Sequence, residues 1–354
     1  MRIAQVSPLF ESVPPQRYGG TERVVSYLTE ELVRRGHEVT LYASGDSQTG
    51  AELIPIVPRA LRLSGTNCVP TVYETLMLER VLSDADRYDV IHFHTDHLHY
   101  PLVRRLNTPA VTTLHGRLDM PELQPLYAEF DDVPVVSISD AQRRPVRGAR
   151  WLATVYHGLP RDLYTFHPQA EDYFAFVGRI SPEKRVDRAI EIATRLGVPL
   201  RIAAKVDKAD RDYFEQEIRP LLDHPLVDFV GEIDDGAKND FMGRARALLF
   251  PIDWPEPFGL VMIEAMACGT PVVAWRNGST PEVIDDGVTG FVVDHLDQAV
   301  EAARRVGELD RRRCRDTFER RFCVERMADD YLRAYRRLLV AVPSRPLTGV
   351  EAYA

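Results

Sequence analysis

A repeated alternation of short apolar strands with amphipathic helices is the feature that most limits how this chain can fold. Residues 2–6 read as an apolar strand, and a helix from about Thr21 to Arg35 carries Val24, Val25, Leu28, Leu32 and Val33 on one face. Gly36 stops that helix, and residues 39–43 form the next strand. This β-loop-α-β order is the unit of a parallel sheet covered by helices, because parallel neighbours need a long crossover. Further strands are predicted at 89–94, 110–114, 133–138 and 153–156. Residues 46–69 read as irregular, and 70–87 as a helix with Val72, Leu76, Val81 and Leu82 inward. The alternation restarts with strands at 173–177, 199–203, 227–230, 247–250, 272–275 and 291–293, with helices between them. Helices at 297–309 and 324–339 close the series. The reading is an α/β protein with two Rossmann-like β/α/β domains, and 354 residues suffice for two cores. The polar, proline-bearing segment 165–172 is the expected linker and hinge.

Composition excludes some functions. A net charge of −9 argues against broad nucleic-acid binding. The arginine clusters, including Arg311 to Arg313, read mostly as solvated faces, with membrane or acceptor contact as a minority reading. Cys68, Cys268, Cys314 and Cys323 lack metal-ligand or CxxC spacing, so reduced cytoplasmic thiols are expected. The chain opens on a strand rather than a signal peptide, and no apolar run approaches the ~20 residues of a membrane helix. The expectation is a soluble, cytoplasmic protein, at most peripheral at the inner membrane face.

Chemistry concentrates between Pro255 and Val273. A tight loop leads into a helix from about Phe258 to Ala267, apolar nearly all round except for Glu264. A buried carboxylate needs a partner, and no Lys or Arg lies one turn away on that helix. Glu256 stands in the loop at the helix mouth, where the amides of Phe258, Gly259 and Leu260 favour an anion. Two carboxylates beside a phosphate seat suit a sugar nucleotide, whose diols donate and whose diphosphate accepts. The plainer alternative is a buried helix whose Glu pairs with a distant Arg.

Other segments supply counterparts. Gly19 and Gly20 precede a helix and permit close approach of an anion, but lack the GxGxxG dinucleotide pattern. His92, His94, His97, His99 and His115 gather at strand ends without a metal-binding pattern, so polar strand ends near a substrate are the reading. Arg179 and Lys184 share a loop at another strand end, where two cations suit a diphosphate.

With Glu256 and Glu264 separated by seven residues and FVGRISPEK at 176–184, the chain resembles the retaining nucleotide-sugar glycosyltransferases of family four, which have a GT-B fold. YGGTERV at 18–24, DVIHFH at 89–94, TLHG at 113–116, SISDAQR at 137–143, GSTPEVI at 278–284 and GVTGFVV at 287–293 extend the resemblance over nearly the whole chain. It implies an acceptor-side domain at 1–167, a donor-binding domain at 168–327, and a last helix, 328–354, returning to the first domain. Glu264 would accept from a ribose diol and Glu256 from hydroxyls of the transferred sugar. Arg179 and Lys184 would neutralise the diphosphate, assisted by amides of Phe258, Gly259 and Leu260. Gly19 and Gly20 would approach from the other side, and His115 would line the cleft beside the anomeric centre. The implied reaction moves a hexosyl group from a UDP- or GDP-sugar to a sugar, lipid or small-molecule acceptor, with no metal cofactor. Lys184-Arg185 and His157-Gly158 depart from the Lys-Gly and Asn-Gly common in the family. An epimerase, a hydrolase or a non-catalytic sugar-nucleotide binding subunit are the alternatives.

Overall fold

The computed structural model describes residues 1–16, 19–64 and 69–341. Tyr18, Cys68 and residues 342–354 of the expected last helix lie outside them.

Two parallel sheets carry the chain. In the first, β1 (Arg2–Val6), β2 (Glu38–Ser44), β3 (Glu52–Val57), β4 (Val90–Phe93), β5 (Ala110–Thr113), β6 (Pro134–Ser137) and β7 (Arg150–Thr154) are ordered β3-β2-β1-β4-β5-β6-β7. In the second, β8 (Phe174–Arg179), β9 (Leu200–Lys205), β10 (Val227–Gly231), β11 (Ala247–Phe250), β12 (Val272–Trp275) and β13 (Gly290–Val293) are ordered β10-β9-β8-β11-β12-β13. Each order reverses direction at its first strand, with β1 between β2 and β4 and β8 between β9 and β11. In open parallel sheets that switch point, at the strands' carboxyl ends, is where ligands bind. The central strands are buried on both faces, as β11 (ALLF) and β12 (VVAW) show.

Several local expectations need correction. Residues 52–57 form β3, a strand whose apolar pattern is obscured by Glu52 and Pro55. The helix Pro70–Ser83 turns Met77, Leu78 and Val81 inward, whereas Val72 and Leu76 are each 55% exposed. Between β9 and β10, where the alternation implies one helix, residues 208–222 make a chain of short helical turns, with a π-type segment at Phe214–Ile218. A helix the periodicity missed, Arg311–Arg321, packs Cys314, Thr317 and Phe318 inward.

Arg311 is not a solvated charge. It donates to the carbonyls of His167, Ala245 and Gly243 and to Thr270 Oγ1. Arg315 likewise donates to the carbonyl of Ala267 at 2.7 Å, closing the C-terminal end of the helix Leu260–Cys268. The expected hinge is tied to the second half, since His167 N donates to Cys268 O and Glu171 N to Arg244 O. The last helix, Val324–Ala341, returns to the first sheet, burying Tyr331 and Tyr335 beside His92. No helix among the described residues is long and apolar enough to cross a membrane.

Candidate active site

A cleft of about 440 Å³ opens between the carboxyl ends of the two sheets. Both halves line it: Gly19, Gly20, His115 and His157 from one, Arg179, Lys184, Glu256, Phe258, Gly259, Leu260 and Glu264 from the other. The residues proposed for the sugar nucleotide therefore border one cavity, whereas of the five histidines expected near a substrate only His115 lines it: His92, His94 and His99 are buried behind it, and His97 is not part of its wall.

The helix that carries Glu264 runs Leu260–Cys268, starting two residues later than expected because Gly259 is its N-cap, with φ 80. That left-handed conformation is what calls for glycine at 259; the nearest atom to a Cβ there, Met262 Cε at 2.7 Å, is the movable end of a flexible side chain. Gly269, with φ 85, ends the helix in the left-handed conformation. Between them Met262, Ile263, Ala265, Met266, Ala267 and Cys268 are buried, so packing rather than caps holds the helix in place.

The loop that presents Glu256 leans on residues 277–279. Ser279 N donates to Glu256 O and Ser279 Oγ to Phe258 O, while Asn277 Nδ2 donates to Ile252 O. Gly278 packs against the Glu256 backbone so closely that a Cβ would stand 2.3 Å from its carbonyl oxygen. The sequence motif around Gly278 is therefore the scaffold of the Glu256 loop.

Glu256 Oε2 accepts from Lys184 Nζ at 2.5 Å and from Trp254 Nε1 at 2.9 Å. The Lys184 ammonium also stands 4.9 Å from the Trp254 ring centroid. Glu264 pairs with Lys238, whose Nζ is 3.1 Å from Oε1 and 3.2 Å from Oε2. Lys238 is the partner that the helix itself lacked, a lysine rather than an arginine, supplied by the helix Asp235–Gly243. Sequence reasoning missed it because the two stand 26 positions apart with a strand between them. Arg179 is held by Glu183, with Asp207 and Asp210 at 3.8 and 3.5 Å. Its fork is thus partly engaged by carboxylates, unlike the open cation expected.

Across the cleft, a Cβ built on Gly20 would lie 3.7 Å from Leu260 Cδ1, which places the glycine pair opposite the start of the Glu264 helix. His115 stacks on His157 with ring centroids 5.4 Å apart, and His157 meets Phe258 edge to face at 4.8 Å. Burial pushes the His115 pKa down to about 3, so the ring is neutral near pH 7. Gly158 follows because a Cβ there would come 2.5 Å from Cys323 O. Among the described residues no group of three or more His, Cys, Asp or Glu is placed to hold a metal ion.

Comparisons agree with this architecture. Residues 165–317 match the family model described as glycosyl transferases group 1, and residues 18–158 that of glycosyltransferase family 4. The D-inositol 3-phosphate glycosyltransferase of Mycolicibacterium smegmatis is 27% identical over 338 residues, covering 79% of this chain and 76% of that protein. The phosphatidyl-myo-inositol mannosyltransferase of Mycobacterium leprae is 27% identical over 339 residues, 87% of each. Among solved structures, AviGT4, a glycosyltransferase involved in avilamycin A biosynthesis, superposes with a TM-score of 0.75 at 26% identity over 96% of this chain and 98% of that one. The sucrose-phosphate synthase of Thermosynechococcus elongatus shares the fold, with a TM-score of 0.73 at 22% identity over 96% and 99%.

Proposed function

The chain belongs to the family four glycosyltransferases of GT-B fold, and from that premise we propose that it moves a hexosyl group from a UDP- or GDP-sugar to an acceptor hydroxyl with net retention at the anomeric carbon. The observation that carries this reading is the convergence of Glu256, Glu264 and Lys184 on one wall of the cleft, with Gly20 facing them. Glu264 accepts from the ribose diol and Glu256 from hydroxyls of the transferred sugar. Residues 1–167 form the acceptor-side unit and 168–327 the donor-binding one.

Lys184 is the principal cation toward the diphosphate. An ammonium has three donors, and the hydrogen bond to Glu256 uses one of them. Arg179 joins it only by sharing its fork with Glu183. As the glycosidic bond lengthens, charge grows on the leaving diphosphate, and fixed donors in a closed cleft stabilise it without reorganising. Retention is consistent with front-face attack, the departing phosphate oxygen taking the acceptor's proton. The reading needs no metal, and takes the acceptor as a sugar, lipid or small molecule, with membrane contact at most peripheral.

Lys184→Ala and Glu256→Ala, assayed by release of nucleoside diphosphate, test it. Both are expected to lose at least about 100-fold in turnover, Lys184→Ala as one lost transition-state donor and Glu256→Ala as the lost acceptor that orients the transferred sugar. Wild-type rates in both variants overturn the assignment. Thermal shifts against UDP- and GDP-sugars choose the donor, since a ligand of the folded state alone raises Tm.

A further inference from the structure

Behind His115 a chain of buried polar groups runs to the last helix. His115 Nε2 lies 2.9 Å from His94 Nδ1, and His94 Nε2 lies 2.7 Å from Gln5 Oε1. Gln5 Nε2 donates to Tyr335 OH at 3.2 Å, which is 2.7 Å from His92 Nδ1. His92 Nε2 reaches Thr113 Oγ1 at 2.7 Å, and Thr113 reaches Tyr331 OH at 3.0 Å. Gln5, His92, Tyr331 and Tyr335 are wholly excluded from solvent, and His94 is 3% exposed.

With the Gln5 amide placed Oε1 toward His94 and Nε2 toward Tyr335, the direction of the protons follows link by link. A Gln carbonyl oxygen only accepts, so His94 carries its proton on Nε2 and turns a bare Nδ1 toward His115. His115 must then donate from Nε2, which leaves Nδ1 bare. At the other end, Tyr335 accepts from Gln5 and donates to His92 Nδ1, and His92 donates from Nε2 to Thr113. Each link fixes the next, as the outer partner of a histidine selects its tautomer.

We propose that Gln5 is a positioning residue that acts through His94 to hold His115 as the Nε2–H tautomer, so that its remaining ring nitrogen is a hydrogen-bond acceptor for a hydroxyl of a sugar bound in the cleft. Burial holds His92 and His94 far below the usual histidine range as well as His115, so all three stay neutral and tautomer, not charge, is what the network controls. The role of the bound sugar rests on the glycosyltransfer reading; the tautomer does not.

The test uses the full chain labelled with 15N-histidine, without donor, and two-bond proton–nitrogen correlation spectra. The His115 signals are identified by their loss in His115→Gln. In the wild type His115 is expected to show the Nε2–H pattern alone. Gln5→Glu, which still presents an accepting oxygen to His94, is expected to keep that pattern. Gln5→Leu is expected to add the Nδ1–H pattern and raise donor KM by about tenfold, the effect of one misdirected hydrogen bond, with a smaller change in kcat. An Nδ1–H pattern in the wild type, or in Gln5→Glu, overturns the proposal. So does a folded Gln5→Leu whose His115 keeps the single Nε2–H pattern. If Gln5→Leu does not fold, the wild-type and Gln5→Glu spectra decide. A correct tautomer in a protein that turns over no nucleotide sugar overturns the functional reading alone.

Discussion

Lys238 Nζ stands almost equidistant from the two carboxylate oxygens of Glu264, at 3.1 and 3.2 Å, and the two side chains are 15% and 4% exposed. A carboxylate this buried on an apolar helix is tolerated because that ammonium offsets its desolvation. Removing one partner leaves the other charge stranded, whereas removing both leaves an ordinary apolar contact. Lys238→Met is therefore expected to destabilise the fold by roughly 3 kcal/mol, and Lys238→Met with Glu264→Met by less than either single change. Urea unfolding of the three variants measures this. Strictly additive losses would sink the argument.

Arg185 has φ 52 and ψ 50, the only non-glycine residue with positive φ among those described. It directly follows Lys184, where the sequence departs from the Lys-Gly that the resemblance led one to expect, and its backbone has the left-handed conformation that glycine adopts freely. The turn that aims Lys184 needs a left-handed residue, which costs an L-amino acid about 1 kcal/mol. Arg185 offsets that through Asp187 at 2.7 Å and Asp253 at 2.9 Å. Arg185→Ala keeps the strain and loses the pairs, while Arg185→Gly loses both. The Gly variant is expected to be more stable than the Ala variant by about 1 kcal/mol in chemical denaturation. An Ala variant as stable as the Gly one contradicts this.

Much of the site was legible because it is written contiguously. Glu256, Gly259 and Glu264 lie within nine residues, and glycine before a helix carries its own backbone logic. The pairings were not legible, because they join residues remote in sequence: Lys238 to Glu264, or Gln5 to Tyr335 over 330 residues. The helix Arg311–Arg321 escaped periodicity because its arginines look solvated, yet Arg311 and Arg315 spend their donors on backbone carbonyls. In the helix Pro70–Ser83, apolar residues stand on more than one face, so spacing alone chose Val72 and Leu76 where packing chose Met77 and Leu78.

Buried histidines predict an acid dependence. His92, His94 and His99 are at most 3% exposed, and burial lowers their pKa values, His99 to about 3. The unfolded chain then binds more protons than the folded one between about pH 6.5 and pH 3, so stability rises with pH across that window and is lost as pH falls. Each such histidine contributes up to about 1.4 kcal/mol per pH unit below its unfolded pKa. Unfolding free energy is expected to drop between pH 7 and pH 5, and to drop less in His99→Gln. Equal slopes in wild type and variant would remove His99 from the account.

Glu282 joins the two halves. Its carboxylate, on the short helix Thr280–Val283, accepts from the amides of Asp140 and Ala141 at 2.8 and 2.6 Å and from Tyr156 OH at 3.1 Å. Those amides open the helix Asp140–Arg143 of the first half, so a side chain of the second half supplies acceptors that the helix start lacks. Arg321, on the helix leading back to the first half, holds the same element through Glu282 O and Asp285, each at 2.5 Å. Glu282→Ala leaves the Arg321 contact to the backbone carbonyl in place and removes only the side-chain link between the halves. Its expected effect is faster hydrogen exchange in peptides spanning 138–143, by about tenfold if the link contributes the ~1.4 kcal/mol of a charge-assisted hydrogen bond. Exchange in 186–196, a helix packed within the second half, is expected to stay at wild-type rates. Unchanged protection at 138–143 would show that other contacts hold the halves together there.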